Sequence, residues 1–505
     1  MSLPDWLQAL PDAAQMRAID AWAIEQRQIP ALDLMERAGA GLARVVEGVA
    51  PDGAIGVLCG KGNNGADGLV AARLLREAGR QVTVIAVGSL QESSPQALEN
   101  LRRLPGEAPV AYGSVGLGGF AACVDALLGT GASGEPRGVV RDAIAALGGA
   151  GVAVVSADVP SGVDASTGEA AEHAVHAVAT ATFHAAKPGL WINPGKEHAG
   201  DVHVLDIGIP SGGPDDVSTG LIGAGVLASL PRRGAASTKF VSGHVLVVGG
   251  SRGLTGAPCM AAMAAGRAGA GYVTACVPAS LQAIFEARLL EVMTRGLPDE
   301  DGALNRAGVD TVIELLARGG ALALGPGIGR SDCAGDMARE LARDAPVPLV
   351  LDADGLNAHA GRLSDLAGRQ APTVLTPHAG ELGRLLGVDS AAVEVKRLSH
   401  ARDASQLAHA VVVLKGDDTL VAHPDGRVAV SPGASPALAT AGTGDVLTGV
   451  LSALLAGGGD PFWAACAAVW LHAEAGRDAA RRQGSVEGVI ASDVIASLPS
   501  ALGRR

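Results

Sequence analysis

Apolar positions in residues 13–49 recur at helical spacing, with Leu34, Ala38, Leu42 and Val45 along one face, and predict helices over 13–25 and 32–49. Beyond them, short runs rich in Val and Ala alternate with amphipathic segments. Strands are expected over 54–59, 81–87, 121–127, 152–157 and 202–207, with helices such as 69–78 and 139–147 between them. Runs that are apolar on both faces belong in a mostly parallel sheet covered by helices on each side. The stretch IPSGGPDDVSTG over 209–220 interrupts the alternation with turn and breaker residues, and places a boundary between a domain over 1–215 and one over 216–505. Alternation then resumes, with strands expected over 244–248, 272–277, 321–324, 348–352, 373–376 and 411–414, each ending at a Gly-, Asp- or His-containing loop. The most apolar stretch, 446–459, is bounded by Asp445 and Asp460. As a helix rising ~1.5 Å per residue it falls short of a ~30 Å bilayer core, so it reads as a buried helix. Ligands of open α/β sheets bind outside the carboxyl ends of the strands, which is where chemistry is to be sought here.

Composition narrows the function. The 505 residues suffice for two cores, and 48% hydrophobic against 18% charged residues excludes a disordered chain. A net charge of −13, with no basic cluster larger than a pair such as Arg232 and Arg233, argues against nucleic acid as a partner. The six cysteines are scattered without CxxC or metal-ligand spacing, as expected where thiols stay reduced. The start, MSLPD, lacks a basic segment followed by an apolar run, so no signal peptide is expected. A cytoplasmic location and small-molecule substrates, with no membrane partner, are the expectation.

In the first domain, Gly60, Lys61, Gly62, Asn63, Asn64, Gly65, Ala66, Asp67 and Gly68 follow the first strand and precede a helix. Glycines let the backbone approach a ligand, and a helix N-terminus offers free N–H groups to anionic oxygens. Asn63, Asn64 and Asp67 add side-chain oxygens suited to a substrate or a hard cation. Two further strand ends carry oxygen-rich loops, from Asp125 to Glu135 and from Asp158 through Ser161 to Asp164. Together with the segment LMERAG over 34–39, this constellation closely resembles the NAD(P)H-hydrate epimerase family across residues 10–210. The resemblance implies a Rossmann-like three-layer domain. It also implies that Asn63, Asn64, Gly65, Ala66 and Asp67, with Gly129, Thr130, Gly131, Ala132, Ser133, Gly134 and Glu135, hold the hydrated dinucleotide. Asp158 would contact the reacting ring as the candidate acid–base group, and Asn64, Asp125 and Ser161 would ligate K⁺. Ala66 stands where the family's loop usually has a second central glycine; if that position requires φ > 0, alanine costs on the order of 1 kcal/mol.

In the second domain, the decisive segment is Thr440, Ala441, Gly442, Thr443, Gly444 and Asp445, followed by the apolar helix. Glycines before a helix form an anion hole, and a carboxylate at its mouth can accept a hydroxyl proton during phosphoryl transfer. The site resembles that of ribokinase-like enzymes, although a GTGD sequence also makes an ordinary helix cap. Upstream lie Gly249–Ser251, Thr255–Ala257, Gly325–Gly329, Asp352–Asn357, Thr376–Glu381 and Lys415–Thr419. In this order they closely resemble the ADP- or ATP-dependent NAD(P)H-hydrate dehydratase family across residues 235–500. The resemblance implies that Lys415, Gly416, Asp417, Asp418, Thr419 and Gly444 hold the adenine nucleotide, ADP in preference to ATP. Ala257, Gly327, His378 and Asp445 would meet the hydrated nicotinamide nucleotide, with Asp445 catalytic and Mg²⁺ accompanying the phosphates. His378 could equally be a satisfied loop histidine, and Asp354 and Glu381 could be helix caps or supporting carboxylates. The pair Asp417 and Asp418 is expected to be solvated at its edges. Hydrate repair in two steps, by a homo-oligomeric bifunctional isomerase and lyase, is the function the two resemblances imply. The competing readings are a small-molecule kinase fused to a nicotinamide-nucleotide-binding module, or a first domain that binds without catalysing.

Overall fold

The computed structural model describes residues 3–214, 216–235 and 237–504, so position 215 of the breaker-rich stretch and the first two residues of the N-terminus lie outside it. The chain forms two compact units, one comprising Ala9–Gly220 and the other starting at Leu221 and including Pro4–Gln8.

The first unit is built on a seven-stranded sheet ordered Val110–Ala111, Val82–Ala86, Ile55–Cys59, Ala122–Ala126, Ala153–Ala157, Ala179–Phe183 and Asp201–Leu205. All its pairings are parallel. Side chains of successive residues point to opposite faces, and both faces are covered. Ile55, Val57 and Cys59 join one core with Leu42, Val46 and Leu69 of the helices Ala31–Val49 and Asn63–Glu77. Leu58 and Cys123 join another with Ile144 and Leu147 of the helix Gly138–Gly149. The three-layer arrangement follows from that two-sided apolar pattern. The chain builds outward from Ile55–Cys59 in one direction and returns to build from Ala122–Ala126 in the other, which opens a crevice between these two strands.

The second unit carries an eleven-stranded sheet. Its parallel body runs Val411–Leu414, Thr373–Leu375, Leu349–Leu351, Ala321–Leu324, His244–Val248, Tyr272–Pro278 and Met293–Leu297. Leu420–Ala422 and Val428–Val430 extend it antiparallel, and Thr219–Ile222 and then Leu7–Ala9 complete that edge. Here the direction of building reverses between His244–Val248 and Ala321–Leu324. The apolar stretch forms the helix Thr443–Ala456, whose residues from Val446 to Leu455 are all buried. It packs on the helix Gly256–Arg267 so closely that a Cβ on Gly449 would lie 2.1 Å from the Ala261 carbonyl oxygen. Among the described residues, no helix is long and apolar enough to cross a membrane.

Candidate active sites

At the crevice of the first unit, backbone meets backbone. The Gly60 amide donates to the Ala126 carbonyl at 3.0 Å, and a Cβ on Gly65 would stand 1.9 Å from the Gly60 oxygen, so only glycine fits there. The helix starts at Asn63, so residues 63–67, expected as a loop ahead of a helix over 69–78, form its opening turn. Ala66 is therefore helical rather than left-handed, and it is buried in a small cluster with Met35 and Ala97. The conformational cost considered for alanine at this position does not arise.

The three expected cation ligands come together across the crevice. Asn64 donates through Nδ2 to the Leu128 carbonyl at 2.8 Å, which leaves its buried Oδ1 without a hydrogen-bond partner among the described residues. Asp125 is fully buried and accepts from Ser156 Oγ at 2.9 Å and from the amide and hydroxyl of Ser161 at 2.8 and 2.6 Å. Burial raises the Asp125 pKa, and the Ser161 and Ser156 hydrogen bonds oppose the rise. One carboxylate among neutral oxygens, with an unused amide oxygen beside it, matches a monovalent hard cation better than a divalent one.

Asp158 occupies the left-handed region at φ 66°, which Asp tolerates better than most residues. Lys187 holds it there. This lysine is 1% exposed and donates to Asp158 Oδ1 at 2.6 Å, Thr182 Oγ1 at 2.8 Å and the Phe183 carbonyl at 2.9 Å. Thr130 donates both its amide and its hydroxyl to Asp158 Oδ2. Burial would raise the Asp158 pKa, but the Lys187 charge and these hydrogen bonds outweigh it and keep the carboxyl below its ordinary range. Ala132–Glu135 lie further out and line a cavity of about 150 Å³ with Gly162 and Asp164. Lys187 and Thr182 do not announce themselves in the sequence; the one available signal is a lysine just after a run of small residues, ahead of Pro188 and Gly189.

In the second unit, the reversal point joins two glycine loops. The Gly250 amide donates to the Pro326 carbonyl at 3.0 Å, and Ser251 Oγ to the Gly327 carbonyl at 2.9 Å. Gly325 and Gly327 have φ of 116° and 62°. A Cβ on Gly327 would lie 3.3 Å from that of Ala257, so these two expected substrate contacts are neighbours. Asp354 ties the loop down by accepting from the Gly329 amide, Arg330 Nε and Asn357 Nδ2. His378 caps the helix Ala379–Leu386: its Nδ1 accepts from the Gly380 and Glu381 amides while Glu381 accepts from the His378 amide, and the ring stays half-exposed.

Lys415 is the hub. Its Nζ lies 3.1 Å from Asp352 Oδ1 and 3.6 Å from Glu381 Oε2, and Asp352 Oδ2 accepts from Thr448 on the apolar helix at 2.6 Å. Asp445 stands on the first turn of that helix. Burial, and then the charge of Asp352 with that of Glu381, outweigh Lys415 and push the Asp445 pKa up to about 7. Beside it opens a cavity of about 480 Å³ whose lining includes Lys415, Gly416, Asp417, Thr419 and Gly444, with Pro436, Leu438 and Leu447 as apolar wall. His472 lines it too; its Nε2 has no partner among the described residues, and burial lowers its pKa to about 4. Asp418 departs from expectation. It is 1% exposed and paired with buried Arg397 at 2.9 Å, and Arg397 also donates to the Lys415 carbonyl, so this carboxylate braces the loop from behind instead of being solvated.

Comparison with known proteins gives these sites a context. A family model described as NAD(P)H-hydrate dehydratase matches residues 245–500, and one described as YjeF-related protein N-terminus matches residues 31–189. The bifunctional NAD(P)H-hydrate repair enzyme of Moorella thermoacetica is 39% identical over 514 residues, covering 98% of this chain and 96% of its own. That of Salinibacter ruber is 40% identical over 527 residues, with the same coverage. Among solved structures, an ADP/ATP-dependent NAD(P)H-hydrate dehydratase from Bacillus subtilis, co-crystallised with ATP and Mg²⁺, aligns with a TM-score of 0.49 and 30% identity over 55% of this chain and 95% of that one.

Proposed function

Because the chain belongs to the family of bifunctional NAD(P)H-hydrate repair enzymes, we propose that its two units act in series on hydrated NADH and NADPH. The first interconverts the epimers at C6 of the damaged ring, and the second dehydrates the S epimer at the expense of an adenine nucleotide. The single observation that carries the second step is the position of Asp445, a carboxyl with a pKa of about 7 at the N-terminus of a buried helix, beside a nucleotide-sized cavity.

Hydroxide leaves a tetrahydropyridine carbon poorly, whereas phosphate leaves readily as the ring nitrogen donates its lone pair. Phosphorylating the hydroxyl therefore converts dehydration into an easy elimination. Asp445 accepts the hydroxyl proton, the amides of Ala441–Gly444 face the transferring phosphoryl group, and Lys415 steadies the nucleotide phosphates against Asp352 and Glu381. The apolar wall of Pro436, Leu438 and Leu447 suits the adenine. Among the described residues, no group of three or more His, Cys, Asp and Glu could hold a metal by itself. Mg²⁺ bound with the nucleotide would neutralise phosphate charge, as is usual for this ion. In the first unit, Asn64, Asp125 and Ser161 fit K⁺, which would fix the two substrate loops relative to one another. The products are NAD(P)H, phosphate and, with ADP as donor, AMP.

The test is to supply an equilibrated mixture of both hydrate epimers with ADP, Mg²⁺ and K⁺ and follow the dihydronicotinamide absorbance. Full recovery of the pool, with one phosphate released per molecule, is expected. Recovery that stops at the S fraction would remove the epimerase assignment, and a stable phosphorylated product would remove the lyase assignment.

A further inference from the structure

Hydrated NADH and hydrated NADPH share the damaged ring and the pyrophosphate, and differ in one phosphomonoester on the adenosine ribose. A site that tells them apart needs cations away from the reaction centre. Arginine suits that task, because its planar fork pairs with two phosphate oxygens at once. Such cations gather in the second unit. A cavity of about 400 Å³ opens beside Gly329, lined by Arg330, Arg339, Arg362 and Arg384 against two carboxylates, Asp332 and Asp354. The excess of positive charge is local, since the chain as a whole carries −13.

Two of the four arginines are already committed. Arg330 Nε donates to Asp354 Oδ1 at 3.1 Å, and Arg339 is held by the Ala358 carbonyl at 2.9 Å and by Asp336. Asp354 is committed in turn to the Gly329 amide and to Asn357. The other two arginines differ. Arg384 donates through Nε to the neutral Asn357 Oδ1 at 2.8 Å, and among the described residues no carboxylate pairs with it. The Arg362 side chain takes part in no hydrogen bond or ion pair among those residues. An adjoining cavity that shares Arg339 and Arg362 shows the contrast, because its remaining arginines are neutralised, Arg306 by Glu340 at 2.5 Å and Arg343 by Asp344 at 2.7 Å.

Short steps connect this cavity to the reaction centre. Lys415 Nζ lies 3.6 Å from Glu381 Oε2, and Glu381 Oε1 lies 3.6 Å from His378 Nε2. A Cβ on Gly380 would stand 2.9 Å from the His378 ring and 3.8 Å from Arg384 Nη1. On the opposite wall, Gly329 belongs to the same loop as Gly327. Resting on the dehydratase reading above, we propose that Arg362 and Arg384 bind the 2′-phosphate of hydrated NADPH and make the second unit prefer it to hydrated NADH. The damaged ring lies among Gly327, His378 and Asp445, the dinucleotide runs past Gly329, and its adenosine end brings the phosphate to the two uncommitted guanidiniums. Both arginines are exposed, so water weakens the attraction and the preference is tens-fold at most.

The full chain is assayed with ADP, Mg²⁺ and the S epimer of each hydrate. kcat/KM should favour hydrated NADPH by about tenfold, and the preference should shrink as salt rises. Arg362→Gln and Arg384→Gln should each remove part of it by raising KM for hydrated NADPH, with kcat and the hydrated NADH constants little changed. The double variant should treat the two hydrates alike. Because the ratio is read within one preparation, a partly unfolded variant cannot mimic the loss. At saturating ADP, calorimetry should show adenosine 2′,5′-bisphosphate binding to the unmodified chain and failing to bind the double variant. Equal losses for both hydrates would overturn the proposal, since they would put the arginines on the shared pyrophosphate. An unchanged ratio in the double variant would overturn it too, as would equal kcat/KM for the two hydrates in the unmodified chain. If the unmodified chain dehydrates neither hydrate, the dehydratase reading fails and takes the proposal with it.

Discussion

Asp445 combines two consequences of one environment. A free-enzyme pKa of about 7 makes it a base matched to neutral pH, so kcat/KM for dehydration should rise about tenfold per pH unit below 7 and level off above it. Asp445→Asn retains size and most hydrogen bonding but cannot accept the proton. Dehydration should fall ~10²–10⁴-fold while nucleotide titration stays near normal. The same residue works against folding. Its folded pKa lies above the ordinary 3.8, so the protonated form favours the native state, and that advantage is lost as pH rises through about 7. The Asn variant should accordingly melt at a higher temperature than the unmodified protein at pH 8, and the difference should shrink toward pH 4. An unchanged melting temperature together with unchanged turnover would show that Asp445 is only a cap.

Elements set where such residues stand, and the helix Thr443–Ala456 is the clearest instance. Its approach to Gly256–Arg267 depends on Gly449, where a Cβ would meet the Ala261 oxygen. Gly449→Ala gains about 1 kcal/mol of helix propensity but must push two packed helices apart, at ~1–3 kcal/mol. Net destabilisation in urea is expected, with dehydration impaired and epimerisation intact; a stabilised variant would contradict the packing. Elements of this kind were readable in the chain. The strands over 244–248, 321–324 and 411–414 have the bounds the apolar runs suggest, because a strand buried on both faces is a short unbroken apolar block. Leu7–Ala9, Leu420–Ala422 and Val428–Val430 were not readable, since three residues display no period. Ala179–Phe183 escaped too, its small residues and threonines leaving no apolar block. Among site residues, loops with dense Gly, Asn and Asp were legible. Lys187 was not, because the carboxylate it holds, Asp158, lies 29 residues away in the chain.

For the whole molecule, the division between units matters most. A fragment beginning at Ser218 would lack Pro4–Gln8 and so expose the edge at Thr219–Ile222. Such unpaired edges template aggregation. That fragment should be less soluble and less stable than the full chain, and covalent addition of residues 4–10 through a short linker should restore both, as read by light scattering and thermal melting. Equal behaviour of the two fragments would show the added strand to be dispensable. The same arrangement bears on how the protein is made. Some two hundred residues separate Leu7–Ala9 from Thr219–Ile222, the strand it pairs with. At ~5–20 residues per second the ribosome takes roughly 10–40 s to traverse that gap. The strand Leu7–Ala9 must therefore wait for its partner, while the intervening unit has time to fold around its own core.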